Sequence, residues 1–392
     1  MPWSETDKVD QRKRFVSDYS RRYWSMTELC ERYGVSRTTG YKWVERFEEE
    51  GRSGLVDRSR RPKSCPHATA PEVVERIVEL RRRFPNRGAK KIEARLRNEG
   101  MEVPSLSTIS EILKRAGLVE GKKRRRRVGH AGKPEERMSR PNETWTADFK
   151  GEFKTRDGEY CYPLTVADGY SRYLLCCQGL DSTGYKGAFK SFRRVFEEYG
   201  LPERIRTDNG LPFASPALGR LSALSVWWIR LGILPELIEL GKPQQNGRHE
   251  RMHRTLKAET TRPPGGDQRA QQRKFNRFVE EFNEDREHEA LGQKTPSSFY
   301  KRSTKDFPKN LEELEYPKHW ERRLVSGNGG IRWRHKWVNV SSVLIGEHIG
   351  FEPIDDGLWG VYFGPVELGR FDERDLKIED TLGRKRRKRT RS

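Results

Sequence analysis

The sequence predicts a multidomain chain: helical units first, a mixed α/β core in the middle and a small β-barrel towards the C-terminus. Three observations carry this. Apolar residues recur at helical spacing over residues 10–118, strand-like segments begin at residue 142, and short alternating segments divided by Gly-rich turns fill residues 323–378. At 392 residues the chain has room for roughly two to four domains and at least one sizeable core.

In MTELCERYGVSRTTGYKWVERF, one helix carries Leu29, Cys30 and Tyr33 on its inner side, Gly34 permits a tight turn, and Ser36 caps a second helix bearing Val44 and Phe47. Helix, Gly-containing turn, helix is the helix-turn-helix pattern. Its second helix offers Arg37, Thr38, Thr39, Tyr41 and Lys42 to a major groove, although an ordinary helical hairpin shows similar spacing. A second unit follows at 72–118, with apolar stripes Val73, Ile77 and Leu80, then Ile92 and Leu96, then Ile109, Ile112 and Leu113; Ser105 or Ser107 caps its last helix. Between the units, GRSGLVDRSRRPKSCP reads as a connector able to lie along DNA.

From residue 142, WTADFKGEF and YCYPLTVADG read as strands flanking an Asp157-Gly158 hairpin turn, and SRYLLCCQGL as a third. The helix GAFKSFRRVFEEYG precedes RIRTDNG, a short strand ending in acidic and turn residues, and more helices follow. Beyond residue 322, IRWRHKWVNV, HIGFEP, LWGVYFG and VELGRF supply the strands of the barrel, about five in all. The expected organisation is therefore helix-turn-helix domains over 1–65 and 66–120, a basic linker over 121–141, the α/β core over 142–300, a linker over 301–322, the barrel over 323–378 and a basic tail over 379–392.

The 79 Lys and Arg against 58 Asp and Glu leave a formal charge of +21, which favours a polyanionic partner, nucleic acid first. The excess is concentrated. Lys122, Lys123, Arg124, Arg125, Arg126 and Arg127 form one run and RKRRKRTR, 384–391, another; both suit phosphate and both also read as solvated linker and tail. Cys30, Cys65, Cys161, Cys176 and Cys177 are odd in number and contain no CxxC pair, as expected of reduced structural thiols. MPWSETDKVDQRKR has no apolar signal region and no run approaches a membrane span, so a cytoplasmic protein, nucleoid-associated when bound to DNA, is expected.

Polynucleotidyl transfer needs divalent ions held about 3.5–4 Å apart, and hard Mg²⁺ takes carboxylate oxygens, so acidic groups must gather from distant parts of a sequence. Asp148 lies in the first strand, Asp208 just past the fourth where Asn209-Gly210 turns the chain away, and both are places where an open sheet presents ligand groups. Glu250 is the third candidate. Its helix places Arg254 and Lys257 on the same face, four and seven residues on, to hold a phosphodiester backbone, with Arg251 beside them and Gln245 and Asn246 in the preceding loop. Asp168 is a fourth acid, but Gly169 beside it points to a hairpin role.

Glu250 also sits in HERMH, residues 249–253, the His-Glu-x-x-His spacing of zinc proteases. Arg248, Arg251 and Arg254 surround the two imidazoles, a setting that disfavours Zn²⁺, and a third ligand would have to be a distant acid such as Glu287. The expectation is that His249 and His253 contact DNA or line the outer shell of a metal site.

WTADFKG, RTDNG and KPQQNGRHERMHRTLK resemble the three acidic motifs of integrase-type DDE transposases, the bacterial insertion-sequence relatives of retroviral integrase. The likeness is strongest over 142–300, and the flanking domains fit the same group, so it extends over nearly the whole chain. It implies a ribonuclease-H-like core, with Asp148, Asp208 and Glu250 as catalytic and metal-binding residues for two Mg²⁺ ions, Mn²⁺ being a possible substitute. It also implies binding to terminal inverted repeats and target DNA, strand cleavage and transfer, and a homodimer or higher oligomer on DNA. The chain departs from the family in one respect. The 41 residues from 209 to 249 between Asp208 and Glu250 exceed the spacing in the family's usual name, and the surplus is expected in RLSALSVWWIRLGIL. A DNA-binding regulator with an inactive core, and a ribonuclease H or structure-specific nuclease, are the alternatives.

Overall fold

The computed structural model describes residues 7–59, 68–119, 138–239 and 247–381. The chain divides into two compact units, Met1–Ala70 and Pro71–Ser392.

The first unit is three helices, α1 (Lys8–Ser20), α2 (Met26–Tyr33) and α3 (Arg37–Glu50). Ser25 and Glu28 form a reciprocal capping box at the start of α2, and Gly34 ends it at φ 64°. Ser36 caps α3 by accepting from Thr39 N. Phe15, Val16, Leu29, Cys30, Val44 and Leu55 close the core, with Tyr33 and Phe47 packed against it. The helices cross closely at Gly40, where a Cβ would stand 2.6 Å from Cys30 Sγ.

The second unit begins with α4 (Pro71–Arg83), α5 (Ala89–Asn98) and α6 (Leu106–Arg115). All eight apolar residues expected of this bundle, from Val73 to Leu113, form its buried core, and Ser105 is the cap of α6. The bundle does not stand apart. Arg87 bonds Glu287 at 3.4 Å with both side chains buried, while Arg95–Asp285 and Lys90–Glu289 flank that pair, so α5 docks on the α/β core.

The core sheet contains β1 (Thr144–Phe149), β2 (Phe153–Lys154), β3 (Tyr160–Asp168), β4 (Leu174–Leu180), β5 (Arg204–Thr207) and β6 (Leu234–Leu237). Its order is β2-β3-β1-β5-β6, with β4 on β3. β3 is antiparallel to β1 and β4, whereas β1, β5 and β6 run parallel, as crossover helices require. One face packs on α7 (Tyr185–Tyr199) and α8 (Ala223–Arg230) through Trp145, Ala147, Phe192 and Trp228. The other carries α9 (Gly247–Thr260) and α10 (Gln268–Glu280) through Cys161, Cys177, Met252, Leu256 and Phe275.

Two details differ from expectation here. WTADFKGEF is two strands, broken by Gly151 at φ 87°. The parallel strand β6 was hidden in sequence because Pro235 interrupts it and all four of its residues are half-buried, which mutes the strand pattern.

The C-terminal domain has β7 (Glu321–Leu324), β8 (Gly330–Trp333), β9 (Lys336–Asn339), β10 (His348–Asp355), β11 (Leu358–Phe363), β12 (Val366–Asp372) and β13 (Lys377–Asp380). The expected β-domain is a five-stranded antiparallel sheet, β13-β12-β11-β10-β7, with the hairpin β8–β9 lying against its two edge strands, β7 and β13. IRWRHKWVNV, read as one strand, is that hairpin: Arg334 and His335 both adopt positive φ, the backbone a two-residue hairpin turn demands. β13 also runs past the expected limit of residue 378, because its outer residues pair with β12 as far as Asp380. Trp333, Phe351 and Phe371 fill the interior together with Leu218, Leu221, Val226 and Ile229 from the α/β core, so the two domains share one apolar cluster.

Cys30, Cys161, Cys176 and Cys177 are buried free thiols, and Cys65 lies outside the described residues. Among the described residues no helix is long and apolar enough to cross a membrane.

Candidate active site

The register of two strands brings the first two acids together. β1 and β5 pair in parallel as far as Ala147 and Thr207, so Asp148 and Asp208 are the next residues on adjacent strands, which run about 4.8 Å apart. Trp145, Ala147 and Ile205 point into the α7–α8 core. By alternation Asp148 and Asp208 face the other side, where α9 lies.

Each acid is held differently. Thr165 Oγ1 donates to the backbone carbonyl of Asp148 at 3.0 Å. Asp208 accepts from Gly210 N at 3.2 Å, and burial raises its pKa from the ordinary carboxylate value. The turn after Asp208 is pinned through Asn209, which donates to Ile238 O at 3.0 Å and accepts from Arg220 at 2.8 Å.

Helix α9 lies on this face through His249, Met252, His253 and Leu256. His249 Nε2 and His253 Nε2 reach Thr165 Oγ1 at 2.6 and 2.7 Å, and His249 Nδ1 meets Thr146 Oγ1 at 3.0 Å. His253 Nδ1 lies 3.8 Å from Asp148 Oδ2. Burial depresses the pKa of His249 to about 3; that of His253 falls to about 2, by burial and then by the nearby His249 and Lys150. Both rings are neutral at physiological pH.

These contacts correct one of the two alternatives for the HERMH histidines. Both histidines are buried, so neither is a DNA contact, and His253 instead borders Asp148. The zinc site also lacks support: both Nε2 atoms bond Thr165, and Glu287 is buried against Arg87. Among the described residues no three His, Cys, Asp or Glu side chains gather closely enough to hold an ion. Glu250 lies in the first turn of α9, exposed, one residue from His249, and has not closed on the two aspartates.

Arg251, Arg254 and Lys257 are exposed along α9. Sequence reading missed Lys150, whose pKa is lowered by burial and by Lys257 while Asp148 opposes the shift. The signal was available, since Lys150 stands two residues past Asp148 and alternation directs both to one face. Asp168 is structural. It accepts from Asn142 N, Ser171 N and Ser171 Oγ at 2.8, 2.7 and 2.6 Å, which closes the β3–β4 hairpin.

In the first unit, Arg37, Thr38, Tyr41 and Lys42 are exposed on α3, and Thr39 is half-buried with its hydroxyl 2.9 Å from Ser36 Oγ. Lys122, Lys123, Arg124, Arg125, Arg126, Arg127, Gln245 and Asn246 lie outside the described residues.

Family models match in series along the chain: a helix-turn-helix domain over residues 11–63, a homeodomain-like domain over 39–113, and an integrase core domain over 138–243 and again over 231–296. A protein of insertion element IS407 from Burkholderia multivorans is 29% identical over 249 residues, 61% of this chain and 85% of that one. The Gag-Pol polyprotein of baboon endogenous virus is 32% identical over 126 residues, 32% of this chain but 7% of the polyprotein. Among solved structures, the HTLV-2 integrase catalytic core with magnesium aligns at 16% identity and TM-score 0.32, over 42% of this chain and 100% of that one. A simian T-cell lymphotropic virus intasome chain aligns at 16% identity and TM-score 0.36, over 74% and 97%. Helix-turn-helix domains ahead of an integrase core, together with similarity to an insertion-element protein over most of that protein's length, are the features of an integrase-type transposase of an insertion sequence.

Proposed function

We propose that the protein binds the terminal inverted repeats of its insertion sequence, cleaves a strand at the element end and joins the freed 3′-hydroxyl to target DNA. The observation that carries this reading is the parallel register that sets Asp148 and Asp208 side by side on the face covered by the Glu250 helix.

The donor set fits a hard cation: carboxylate oxygens are available, while both imidazole Nε2 atoms are engaged with Thr165. In this reading Asp148, Asp208 and Glu250 hold two Mg²⁺ ions, or Mn²⁺ in their place, which when bound stabilise charge on the attacking and leaving oxygens. The chain's own residues do the rest. Lys150, Arg254 and Lys257 hold the phosphodiester beside the carboxylates, and Arg251 contacts the backbone further along. Arg37, Thr38, Thr39, Tyr41 and Lys42 read bases in the major groove, while the basic run 122–127 and the loop residues Gln245 and Asn246 contact phosphates. Joining requires two element ends, so the working form is a homodimer or larger on DNA.

Strand transfer by purified protein on a duplex carrying the element end tests this. Asp148→Asn, Asp208→Asn and Glu250→Gln are each expected to lower the rate by about a thousandfold, the scale of lost metal-borne charge stabilisation, while end binding survives. Wild-type protein that binds the end specifically but yields no product with Mg²⁺ or Mn²⁺ would overturn the proposal in favour of a DNA-binding regulator.

A further inference from the structure

We propose that Thr165 is a positioning residue: its single buried hydroxyl clamps α9 to the sheet and so sets where Glu250 stands relative to Asp148. The inference rests on the carboxylate roles proposed above and adds a residue that touches none of the reacting groups.

Proton accounting makes the case. A threonine hydroxyl has one hydrogen to give and two lone pairs to receive. Thr165 Oγ1 has three partners, Asp148 O at 3.0 Å, His249 Nε2 at 2.6 Å and His253 Nε2 at 2.7 Å, and it is fully buried. A carbonyl only accepts, so the hydrogen goes to Asp148 O. Both imidazoles must then donate, which fixes each as the Nε2–H tautomer. Every position on the hydroxyl is filled.

The tautomers settle the outer nitrogens too. His249 Nδ1 becomes an acceptor for the Thr146 hydroxyl at 3.0 Å, a shorter contact than the one that hydroxyl makes to Ala167 O at 3.3 Å. His253 Nδ1 becomes a lone pair on the Asp148 side, 3.8 Å from Oδ2. The clamp therefore joins β1, β3 and α9 at one atom. His249 precedes Glu250 by one residue and His253 follows it by three, so the helix is held on both sides of the acid. Apolar packing by Met252 and Leu256 sets the helix on the sheet but tolerates sliding; directional bonds to one oxygen do not.

The test compares Thr165→Val with Thr165→Ser. Valine keeps the shape and removes the hydroxyl; serine restores it. Thr165→Val is expected to lower kcat for strand transfer by about a hundredfold, the cost of an ångström-scale misplacement, with KM for the DNA end unchanged. Thr165→Ser is expected to stay within about threefold of wild type on the same scale. Two readouts do not depend on activity. Long-range ¹H–¹⁵N spectra of histidine-labelled protein should show both rings as Nε2–H in the wild type and the serine variant, and amide exchange over α9 should quicken in the valine variant alone. Serine as slow as valine, or valine at the wild-type rate, overturns the clamp. If the wild type itself proves inactive the proposed function fails, and the spectra and exchange rates still decide the clamp: Nδ1–H tautomers, or an α9 equally protected in the valine variant, would refute it.

Discussion

Leu221→Ala should impair the catalytic core and the β-domain together, because one connection is built into both. From Asp208 the chain turns at Asn209, which Arg220 holds at 2.8 Å, and Ser222 Oγ donates to Phe213 O at 2.9 Å. Phe213 belongs to the α/β core, whereas Leu218 and Leu221, 2% and 3% exposed, belong to the β-domain cluster. Truncating a buried leucine costs about 2–5 kcal/mol, so Leu221→Ala should melt measurably lower. Ile378→Ala on β13, at 1% exposure in the same cluster, removes a similar volume away from the connection and serves as the control. At a temperature below both melts, Leu221→Ala is expected to slow strand transfer by about tenfold to a hundredfold through a displaced Asp208 turn, and Ile378→Ala to leave it near wild type. Equal rates per folded molecule for the two variants would show that the β-domain does not brace Asp208.

Two further outcomes follow from buried charges. Asp168→Asn leaves an amide where a carboxylate accepted three bonds; a donor then faces donors, at a cost of about 1–3 kcal/mol. The variant should melt lower yet transfer strands normally once folded, and a catalytic defect out of proportion to its unfolding would contradict a structural role. Lys91 in α5 has its pKa lowered to about 8, by burial first and then by Arg286 and Arg87. Below that pH both folded and unfolded chains keep the proton and the burial cost is full. Between there and the ordinary lysine value of about 10.4, the unfolded chain binds more protons, so stability rises with pH. Lys91→Met should therefore melt above wild type at pH 7, with the gap closing by pH 10; thermal melts with a constant gap would disprove the assignment.

What the sequence made legible was local. Caps at Ser36 and Ser105, the stripes from Val73 to Leu113 and the Asp157-Gly158 turn are each specified within a few residues, and all appear as expected. The placement of Asp148 in its strand and of Asp208 at the end of another was readable because strand pattern and the Asn209-Gly210 turn mark those positions. What stayed hidden depends on partners far away in the chain. His249 and His253 could not be assigned from HERMH because their partner Thr165 is 84 and 88 residues distant. The docking of α5 rests on a pair 200 residues apart. The Arg334–His335 turn was missed for a different reason: no glycine advertises its positive φ, and only pairing of the flanking strands holds it there.

The placement of the three acids bears on why so much of the chain surrounds them. Neighbouring carboxylates repel, so if Asp148, Asp208 and Glu250 hold the ions as proposed, the elements that carry them must be stiff enough not to spread. Asp148 is restrained by its strand and by Thr165, Asp208 by a turn anchored at Arg220 and rooted in the β-domain cluster, and the Glu250 helix by two imidazoles. Thr165 thus serves both Asp148 and the Glu250 helix, whereas the Asp208 turn is held from elsewhere in the fold, so weakening one of these two braces leaves the other in place. A graded loss across Leu221→Ala and Thr165→Val, with their effects multiplying in the double variant, is the expected signature of independent braces; a double variant no worse than either single would mean they act as one element.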